Sequence, residues 1–331
     1  MTMNPPLRDV AALLLAQEKV AVISHRAPDG DTLGSAMALC RGLCQAGKQV
    51  EFLCSDLIPG KYHYLFEGME QLLEPKEDVL AAVEGRFVVS VDVADVALFG
   101  DALQPLTERV DLCIDHHKSG GTFAKVTYRE ADSAATGEII YQLLREMGTT
   151  IDSQMASCIY TAITTDTGCF KYNNTTPRSY RIAADMVELG APAPEINRVM
   201  FDTITRGRLE LQKLALETLE YHYDNRCVTM VISREMMKQA GAKGEDVEGI
   251  NTIPRQIDGA LVGITIRERK TGGYKISLRG QPPMDCSVIC AQFGGGGHAG
   301  AAGCVFDEPL ETVKQKLVEA VGAYFAETKL L

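Results

Sequence analysis

This sequence of 331 residues lacks several features, and each absence excludes a class of protein. It has no tryptophan, and aromatic residues make up only 6% of it. No apolar run approaches the roughly 20 residues that cross a bilayer, since even the leucine-rich start at Val10 soon meets Glu18 and Lys19. The N-terminal residues have no basic region followed by an apolar stretch and a cleavage site, so nothing indicates secretion. We therefore predict a cytoplasmic protein with no membrane partner.

Positive charge is also scarce. The chain has 33 lysines and arginines against 44 aspartates and glutamates, a formal net charge of −11. A protein that coats long duplex nucleic acid by counterion release needs an excess of cations. This balance excludes long duplex nucleic acid as a partner and leaves a small anionic substrate, held in a local pocket, as the reasonable kind of ligand.

The first half of the chain alternates short β-branched runs with helical patterns. The pattern predicts strands over 19–24, 49–54, 86–91 and 110–114, and helices that include 138–147 and 153–164. Strands that alternate with helices predict an α/β fold, with an N-terminal parallel sheet flanked by helices on both faces. Ligands of such sheets bind beyond the carboxyl ends of the strands.

A change of composition after Gly190 predicts a second domain. The APAPE segment leads into a helical pattern over 206–221 that carries no strand signal. We predict a catalytic domain over 1–189, a helical linker over 190–222 and a smaller C-terminal α/β domain over 223–331. The last domain shows strand patterns over 227–232, 259–268 and 273–278, followed by a glycine-rich loop over 294–303.

Four distant segments place Asp or His beside the end of a predicted strand or helix. A single Asp in such a place is more often a helix cap or turn residue, and Asp31 before Thr32 fits an N-cap. Together, however, these residues put several desolvated charges along one sheet edge, which requires compensating cations. Carboxylate and imidazole ligands suit Mn²⁺ or Mg²⁺, with Zn²⁺, Co²⁺ or Fe²⁺ as alternatives, and their number favours two ions. The segments contribute His25, Asp29 and Asp31; Asp92; Asp115, His116 and His117; and Asp166.

The segments HRAPDGDTLGS, VDVAD, DHH and TDTG, in this order, resemble the four motifs of the DHH phosphoesterase superfamily. The block GGGGHAGAAG over 294–303, with SLRG over 277–280 before it, is similar to the DHHA1 domain of one branch. The compact length, without membrane segments or added domains, is most similar to the nanoRNase and 3′-phosphoadenosine 5′-phosphate (pAp) phosphatase group, the bifunctional oligoribonucleases.

The resemblance implies a two-metal site, usually with Mn²⁺, while Mg²⁺ or Co²⁺ are alternatives. Asp92 would bridge the ions, and His117 would position the phosphate or assist proton transfer. Asp115 would orient His116, unless it only caps the strand end. The implied metal ligands are His25, Asp29, Asp31, Asp92, His116 and Asp166, and the implied catalytic residues are Asp92, His116 and His117.

The resemblance also implies where substrate binds. Arg279 and His298 would contact a terminal phosphate across an interdomain cleft that holds the active site, beside the open backbone of Gly296 and Gly297. The family segment SLRS reads SLRG here, so that a hydroxyl is absent at Gly280. The implied reactions convert short oligoribonucleotides to nucleoside 5′-monophosphates and pAp to AMP. The protein is also compatible with a homodimer.

Three further residues are ambiguous in the sequence. Phe170 and Tyr172 follow the fourth motif and are suited either to stacking on a base or to packing. Arg178, in TTPRSY, is suited either to binding phosphate or to the start of a helix after Pro177.

The same metal site would also serve a phosphodiesterase for linear or cyclic dinucleotides such as pGpG and pApA. An inorganic pyrophosphatase also uses a DHH site, but the resemblance pairs that activity with a different second domain. A non-catalytic nucleotide sensor would require damaged ligands, whereas all six ligand positions here carry residues that bind metal.

Overall fold

A computed structural model describes residues 4–73, 78–118, 120–247 and 249–330 of the protein. Its contacts divide the chain into two units, Met1–Thr203 and Ile204–Leu331. The division falls inside the predicted linker over 190–222, and the predicted domain boundaries stay predictions.

The first unit contains a five-stranded sheet in which every neighbouring pair is parallel, as predicted. The strands are β1 (Lys19–Ile23), β2 (Gln49–Leu53), β3 (Phe87–Val91), β4 (Leu112–Asp115) and β5 (Val126–Arg129). The order β2-β1-β3-β4-β5 reverses direction at β1, so a topological switch point lies between β1 and β3. The sequence did not predict β5, because this four-residue edge strand is only half-buried and has no continuous apolar run.

Helices cover both faces of this sheet, as predicted. Successive residues of β1 alternate between the two faces: Val20 and Val22 enter one hydrophobic core, while Ala21 and Ile23 enter the other. The helices are α1 (Leu7–Leu15), α2 (Gly30–Gln45), α3 (Val79–Ala82), α4 (Gly100–Leu103), α5 (Thr136–Glu146), α6 (Ser153–Asp166), α7 (Pro177–Glu188) and α8 (Ala193–Asn197). Short 3-10 helices lie at Gly60–Phe66, Glu70–Leu73, Val96–Phe99 and Gln104–Arg109, and a π-helix at Arg198–Asp202.

The second unit contains a mixed six-stranded sheet. Its strands are β6 (Glu220–His222), β7 (Cys227–Ile232), β8 (Val262–Glu268), β9 (Tyr274–Gly280), β10 (Gly296–His298) and β11 (Ala301–Phe306), in the order β10-β11-β9-β8-β7-β6. Only the β7–β8 pair is parallel among the described strand pairs. The strand β6 is a correction, since the pattern over 206–221 predicted helix throughout.

Five helices accompany this sheet. They are α9 (Arg206–Leu216), α10 (Arg234–Gln239), α11 (Ile253–Gln256), α12 (Cys286–Ala291) and α13 (Leu310–Thr328), with 3-10 helices at Glu245–Val247 and Ile250–Thr252. One core packs β8, β9 and β11 against α12 and α13. Within the described residues, no helix is both long enough and apolar enough to cross a membrane.

The glycine-rich block is a β-hairpin rather than the predicted loop. β10 pairs antiparallel with β11, and β11 pairs with β9. Gly297 has φ +142°, and a Cβ there would lie 2.5 Å from the carbonyl oxygen of Ala301. The glycine thus lets the two strands approach, which a rule that treats glycine runs as loops does not anticipate.

Candidate metal centre

The carboxyl ends of β1, β3 and β4 and the adjoining ends of α2 and α6 bring the predicted ligands together. All six fall into groups whose ligand atoms lie within 4.8 Å of one another. The groups are His25, Asp29 and Asp92; Asp31, His116 and Asp166; and Asp92, His116 and His117. The centre lies at the switch point of the sheet, where parallel α/β sheets bind ligands.

Asp92 is the central residue of this arrangement. It follows β3, is only 3% exposed and adopts φ +60°, a left-handed conformation that aspartate tolerates better than most residues. Its Oδ2 lies 3.6 Å from Nε2 of His25, and its Oδ1 lies 3.7 Å from Nε2 of His116. The two oxygens of one carboxylate therefore face two different imidazoles.

Backbone carbonyls orient both of these imidazoles. Nδ1 of His25 lies 2.8 Å from the carbonyl oxygen of Arg26, and Nδ1 of His116 lies 3.1 Å from that of Ser133. Because a carbonyl oxygen only accepts, Nδ1 carries a proton in each ring, and Nε2 is the atom that faces the carboxylates. Metal-binding histidines are oriented in this way.

The first turn of α2 supplies two carboxylates with different surroundings. Asp29 is the N-cap, and its Oδ1 accepts hydrogen bonds from the backbone N–H groups of Asp31 and Thr32 at 3.0 and 3.1 Å. Asp31 is 1% exposed and lies inside the helix, so the expectation of Asp31 as the cap is corrected. The remaining aspartate, Asp166, is the last residue of α6.

Repulsion among these carboxylates makes the centre unfavourable for protein alone. Burial and the charges of Asp92 and Asp166 raise the pKa of Asp31 well above its ordinary value. Burial also raises the pKa of Asp166 to about 6, although His116 acts in the opposite direction. At His25 burial opposes a positive charge, but Asp29 and Asp92 outweigh it and raise the pKa to about 11. Buried oxygen donors with excess negative charge, beside imidazoles whose Nε2 faces them, fit divalent cations, which would displace the Nε2 proton of His25.

Asp115 orients His117, which corrects the expectation that it orients His116. Its Oδ1 lies 2.7 Å from Nδ1 of His117 and also accepts the backbone N–H of that residue at 3.2 Å. Nε of Arg129 donates to its Oδ2 at 2.8 Å. The hydrogen bond that His117 donates to Asp115 raises the pKa of His117, although burial opposes it. The side chain of His117 is 43% exposed, against 13% for His116, so His117 is the more accessible imidazole.

The start of α5 also contacts the centre, and the sequence did not identify it. Thr136 Oγ1 donates to Oδ1 of Asp92 at 2.9 Å. The N–H groups of Thr136 and Gly137 donate to the carboxylate of Asp31 at 2.7 and 3.0 Å. Most of these contacts come from backbone N–H groups, which the amino-acid type does not reveal. The Thr-Gly pair at a predicted helix start was the one feature of the sequence that pointed to them.

The two ambiguous aromatic residues differ in exposure. The ring of Phe170 stacks on Tyr180, with centroids 5.1 Å apart, and packs against the core of the first unit. Tyr172 is 58% exposed, and its ring lies against Gly168, two residues after Asp166.

In the second unit, the predicted substrate residues lie on neighbouring strands. His298 of β10 pairs with Ala301 of β11, which pairs with Arg279 of β9. Residues paired across antiparallel strands share a face, so His298 and Arg279 lie on one face with a small alanine between them. Gly296 and Gly297 belong to the same β10 strand as His298.

A further guanidinium, which the sequence did not identify, belongs to this face. Arg279 pairs with Gly263, against which the backbone of Arg255 packs. Burial and the nearby Arg255 lower the pKa of Arg279. Within the described parts of the chain, neither arginine forms an ion pair with a carboxylate. We call Arg255, Arg279 and His298 the cationic face.

Gly280 has a packing reason. A Cβ at this position would lie 2.8 Å from Sγ of Cys286 and 3.0 Å from the side chain of Met284. A serine would therefore displace α12 or the residues just before it. This close packing explains why the chain has SLRG where the family pattern has SLRS.

Comparison with known proteins gives the same division of the chain. The DHH family, N-terminal domain matches residues 19–163, and the DHHA1 domain matches residues 224–327. The chain is 28% identical to the bifunctional oligoribonuclease and PAP phosphatase NrnA of Thermus thermophilus, over 95% of each chain. It is 26% identical to the cyclic-di-AMP phosphodiesterase GdpP of Geobacillus thermodenitrificans, but spans only 48% of that protein. The crystal structure of an exopolyphosphatase-related protein from Bacteroides fragilis matches it with a TM-score of 0.89 and 25% identity, over 98% of this chain and 97% of that one.

Proposed function

Because the chain belongs to the DHH/DHHA1 phosphoesterase family, we propose that it hydrolyses short oligoribonucleotides, of about two to five nucleotides, and pAp. The products are nucleoside 5′-monophosphates and AMP. The similarity to NrnA over 95% of both chains supports this substrate class. The observation that carries the proposal is the position of Asp92, whose two carboxylate oxygens face His25 and His116 separately.

We assign two cation positions to the centre. His25, Asp29 and Asp92 would hold one divalent cation, and Asp31, His116 and Asp166, with the second oxygen of Asp92, would hold the other. We propose Mn²⁺ as the ion, with Mg²⁺ or Co²⁺ as substitutes, because the donors are oxygen and imidazole without thiolate. Such ions polarise a phosphoryl oxygen and lower the pKa of water.

His117 is the residue that we assign to proton transfer. Asp115 holds the proton on Nδ1 of His117, so Nε2 of His117 is the atom that gives a proton to the leaving oxygen. The carboxylate also raises the pKa of the ring, which favours a protonated Nε2 and thus a general acid.

The cationic face is assigned to the terminal phosphate of the substrate. Arg255 and Arg279 are half-buried without a carboxylate partner among the described residues, and an anion would neutralise them. His298 adds a donor on the same face, and the glycine backbone at Gly296 and Gly297 leaves room for the phosphate.

Tyr172 is assigned to base stacking, and Phe170 to packing. The exposed ring of Tyr172, which lies against Gly168, offers a free face, whereas the ring of Phe170 already stacks on Tyr180. Stacking on an aromatic side chain tolerates any base, which suits a substrate class defined by length rather than sequence.

A mixture of 5′-labelled RNAs of graded length, assayed with Mn²⁺ beside pAp, tests the proposal. We expect hydrolysis of the shortest RNAs and release of AMP from pAp, with long RNA cleaved slowly. Absence of both reactions with Mn²⁺, Mg²⁺ and Co²⁺ would contradict the proposal.

The similarity to GdpP supports a second candidate, a phosphodiesterase for dinucleotides. Rates on linear pGpG and pApA, measured beside the intact cyclic dinucleotides, separate the two. Preference for a cyclic substrate would favour the second candidate. A homodimer and a cytoplasmic location stay predictions.

A further inference from the structure

One short segment contacts three of the six proposed metal ligands and reaches a fourth through one intervening side chain. We call residues 133–137 the ligand-holding segment. The carbonyl oxygen of Ser133 accepts a hydrogen bond from Nδ1 of His116. Thr136 donates to Asp92, and Gly137 donates to Asp31. The fourth ligand is reached through Asn174, whose Nδ2 donates to the carbonyl oxygens of Ala134 and Asp166 at 2.9 and 3.1 Å.

Arg178 binds this segment and both of its flanks. Its Nη1 donates to Oε1 of Glu130 at 2.6 Å, and its Nε donates to Oε2 of Glu138 at 2.7 Å. Its Nη2 donates to Oγ of Ser133. The three nitrogen atoms of one guanidinium thus bind three residues, which lie before, within and after the ligand-holding segment.

The surroundings of Arg178 fix its position. It follows Pro177 at the start of α7, which Thr176 and Ser179 close with a capping box. Glu138 has a fully buried side chain and also accepts a hydrogen bond from Oγ of Ser179 at 2.6 Å. A buried carboxylate requires a fixed cation, so the guanidinium has one favourable place.

We propose that Arg178 is a positioning residue for the metal centre: it holds the ligand-holding segment so that His116, Asp92, Asp31 and Asp166 keep their arrangement before a metal binds. This inference rests on the proposed metal site. It also resolves the ambiguity over Arg178, because its three donor atoms are occupied by the protein and do not serve as a phosphate-binding fork.

A lysine is a poor substitute at this position. An ammonium group is a compact point charge, whereas the planar guanidinium binds three acceptors at fixed angles. Arg178→Lys keeps the charge near Glu138 but releases at least one flank of the segment. Loss of a group that orients metal ligands typically weakens metal binding about 10–100-fold.

Calorimetric titration of Mn²⁺ into the metal-free full-length protein, without substrate, tests the inference. We expect Arg178→Lys to weaken Mn²⁺ binding about 10–100-fold. Arg198→Lys is the matched control, because Arg198 pairs only with Glu195 on the surface, among the described residues. It should bind Mn²⁺ like the wild type. Ser133→Ala, which removes one contact of Arg178 but keeps the carbonyl that His116 uses, should weaken binding less, in the same direction.

The thermal unfolding temperature of each metal-free variant separates positioning from simple stability. An Arg178→Lys protein that unfolds at a lower temperature but binds Mn²⁺ as tightly as the wild type would overturn the inference. A wild type that binds Mn²⁺ but hydrolyses no RNA or pAp would contradict the proposed function and leave the inference intact. A wild type that binds no divalent cation would overturn both.

Discussion

The two units of the chain gather opposite charges by different geometries. In the first unit, parallel strands end at one edge of the sheet, so residues far apart in sequence, such as His25 and Asp92, become neighbours. In the second unit, antiparallel pairing sets Arg279 and His298 in one row on a face of the sheet. The first arrangement concentrates carboxylates that require cations, and the second concentrates cations that require an anion.

This contrast predicts a division between turnover and affinity. Substitutions at the metal centre should lower kcat, while substitutions on the cationic face should raise KM.

The largest effect is expected from Asp92→Asn. Asparagine tolerates the left-handed backbone at this position, so the change removes the charge with little disturbance of the turn. We expect hydrolysis of a dinucleotide to fall at least about 1,000-fold, because both cation positions lose a ligand. Steady-state rates with saturating Mn²⁺ measure this, and a variant with wild-type kcat would disprove the bridging role.

His117→Asn should lower kcat by about 100- to 10,000-fold and leave KM for pAp within a few-fold, because the residue moves a proton and does not hold the substrate. Asp115→Asn, which keeps the ring but weakens its orientation, should lower kcat less. Equal loss of kcat and affinity in the His117 variant would place that residue among the metal or substrate ligands instead.

Arg279→Ala should raise KM for pAp and short RNA about 10–100-fold with kcat nearly unchanged, since a hydrogen bond to a charged group contributes about 1.5–3 kcal/mol. Lys275→Ala serves as the control, because Lys275 lies on the same strand but is exposed to solvent. If both variants keep the wild-type KM, the cationic face has no part in binding these substrates.

Tyr172→Ala tests the one residue of the first unit that we assign to affinity. The loss of one stacked base should raise KM for a dinucleotide about 5–50-fold. Tyr172→Phe should restore the wild-type value, since it keeps the ring. A phenylalanine variant as defective as the alanine variant would argue against stacking and for a role of the hydroxyl group.

The smallest effect concerns the stability of the metal-free protein. The pKa of Asp166 rises from an unfolded value of about 3.9 to about 6 in the folded state. Its contribution to stability is therefore fully present below about pH 3.9 and is lost as the pH rises through about 6. Asp166→Asn should unfold at a higher temperature than the wild type at pH 8, by about 2–4 °C for each kcal/mol of repulsion removed, and show no such gain at pH 4. Thermal scans with EDTA measure the difference, and a pH-independent gain would point to a cause other than charge.

The sequence predicted which acidic and imidazole side chains come together better than it predicted the groups that hold them. Asp92 and His116 were identified because polar residues at the ends of apolar strands are costly unless they meet a ligand. Which imidazole Asp115 binds depends on side-chain directions after β4, and neighbours in the sequence do not determine these. Ser133 orients His116 through its carbonyl oxygen, a group that every residue has.

Two of the missed strands have a common cause. β5 and β10 are short edge strands, one half-buried and one made largely of glycine, so neither has the apolar alternation that identifies a strand. Their pairing comes from the neighbouring strands, β4 and β11, and is a property of the assembled sheet.

Asp31 serves both the proposed metal centre and the start of helix α5. Helix α5 begins after Ala135, a residue with no side chain able to satisfy the first N–H groups, and the carboxylate of Asp31 accepts two of them from more than one hundred positions away in the sequence. A lost cap costs a helix about 1 kcal/mol. A descendant of this protein that discarded the centre by mutating Asp31 would also weaken the start of α5. A relative that has lost activity is therefore expected to keep this aspartate after its other proposed metal ligands have been substituted.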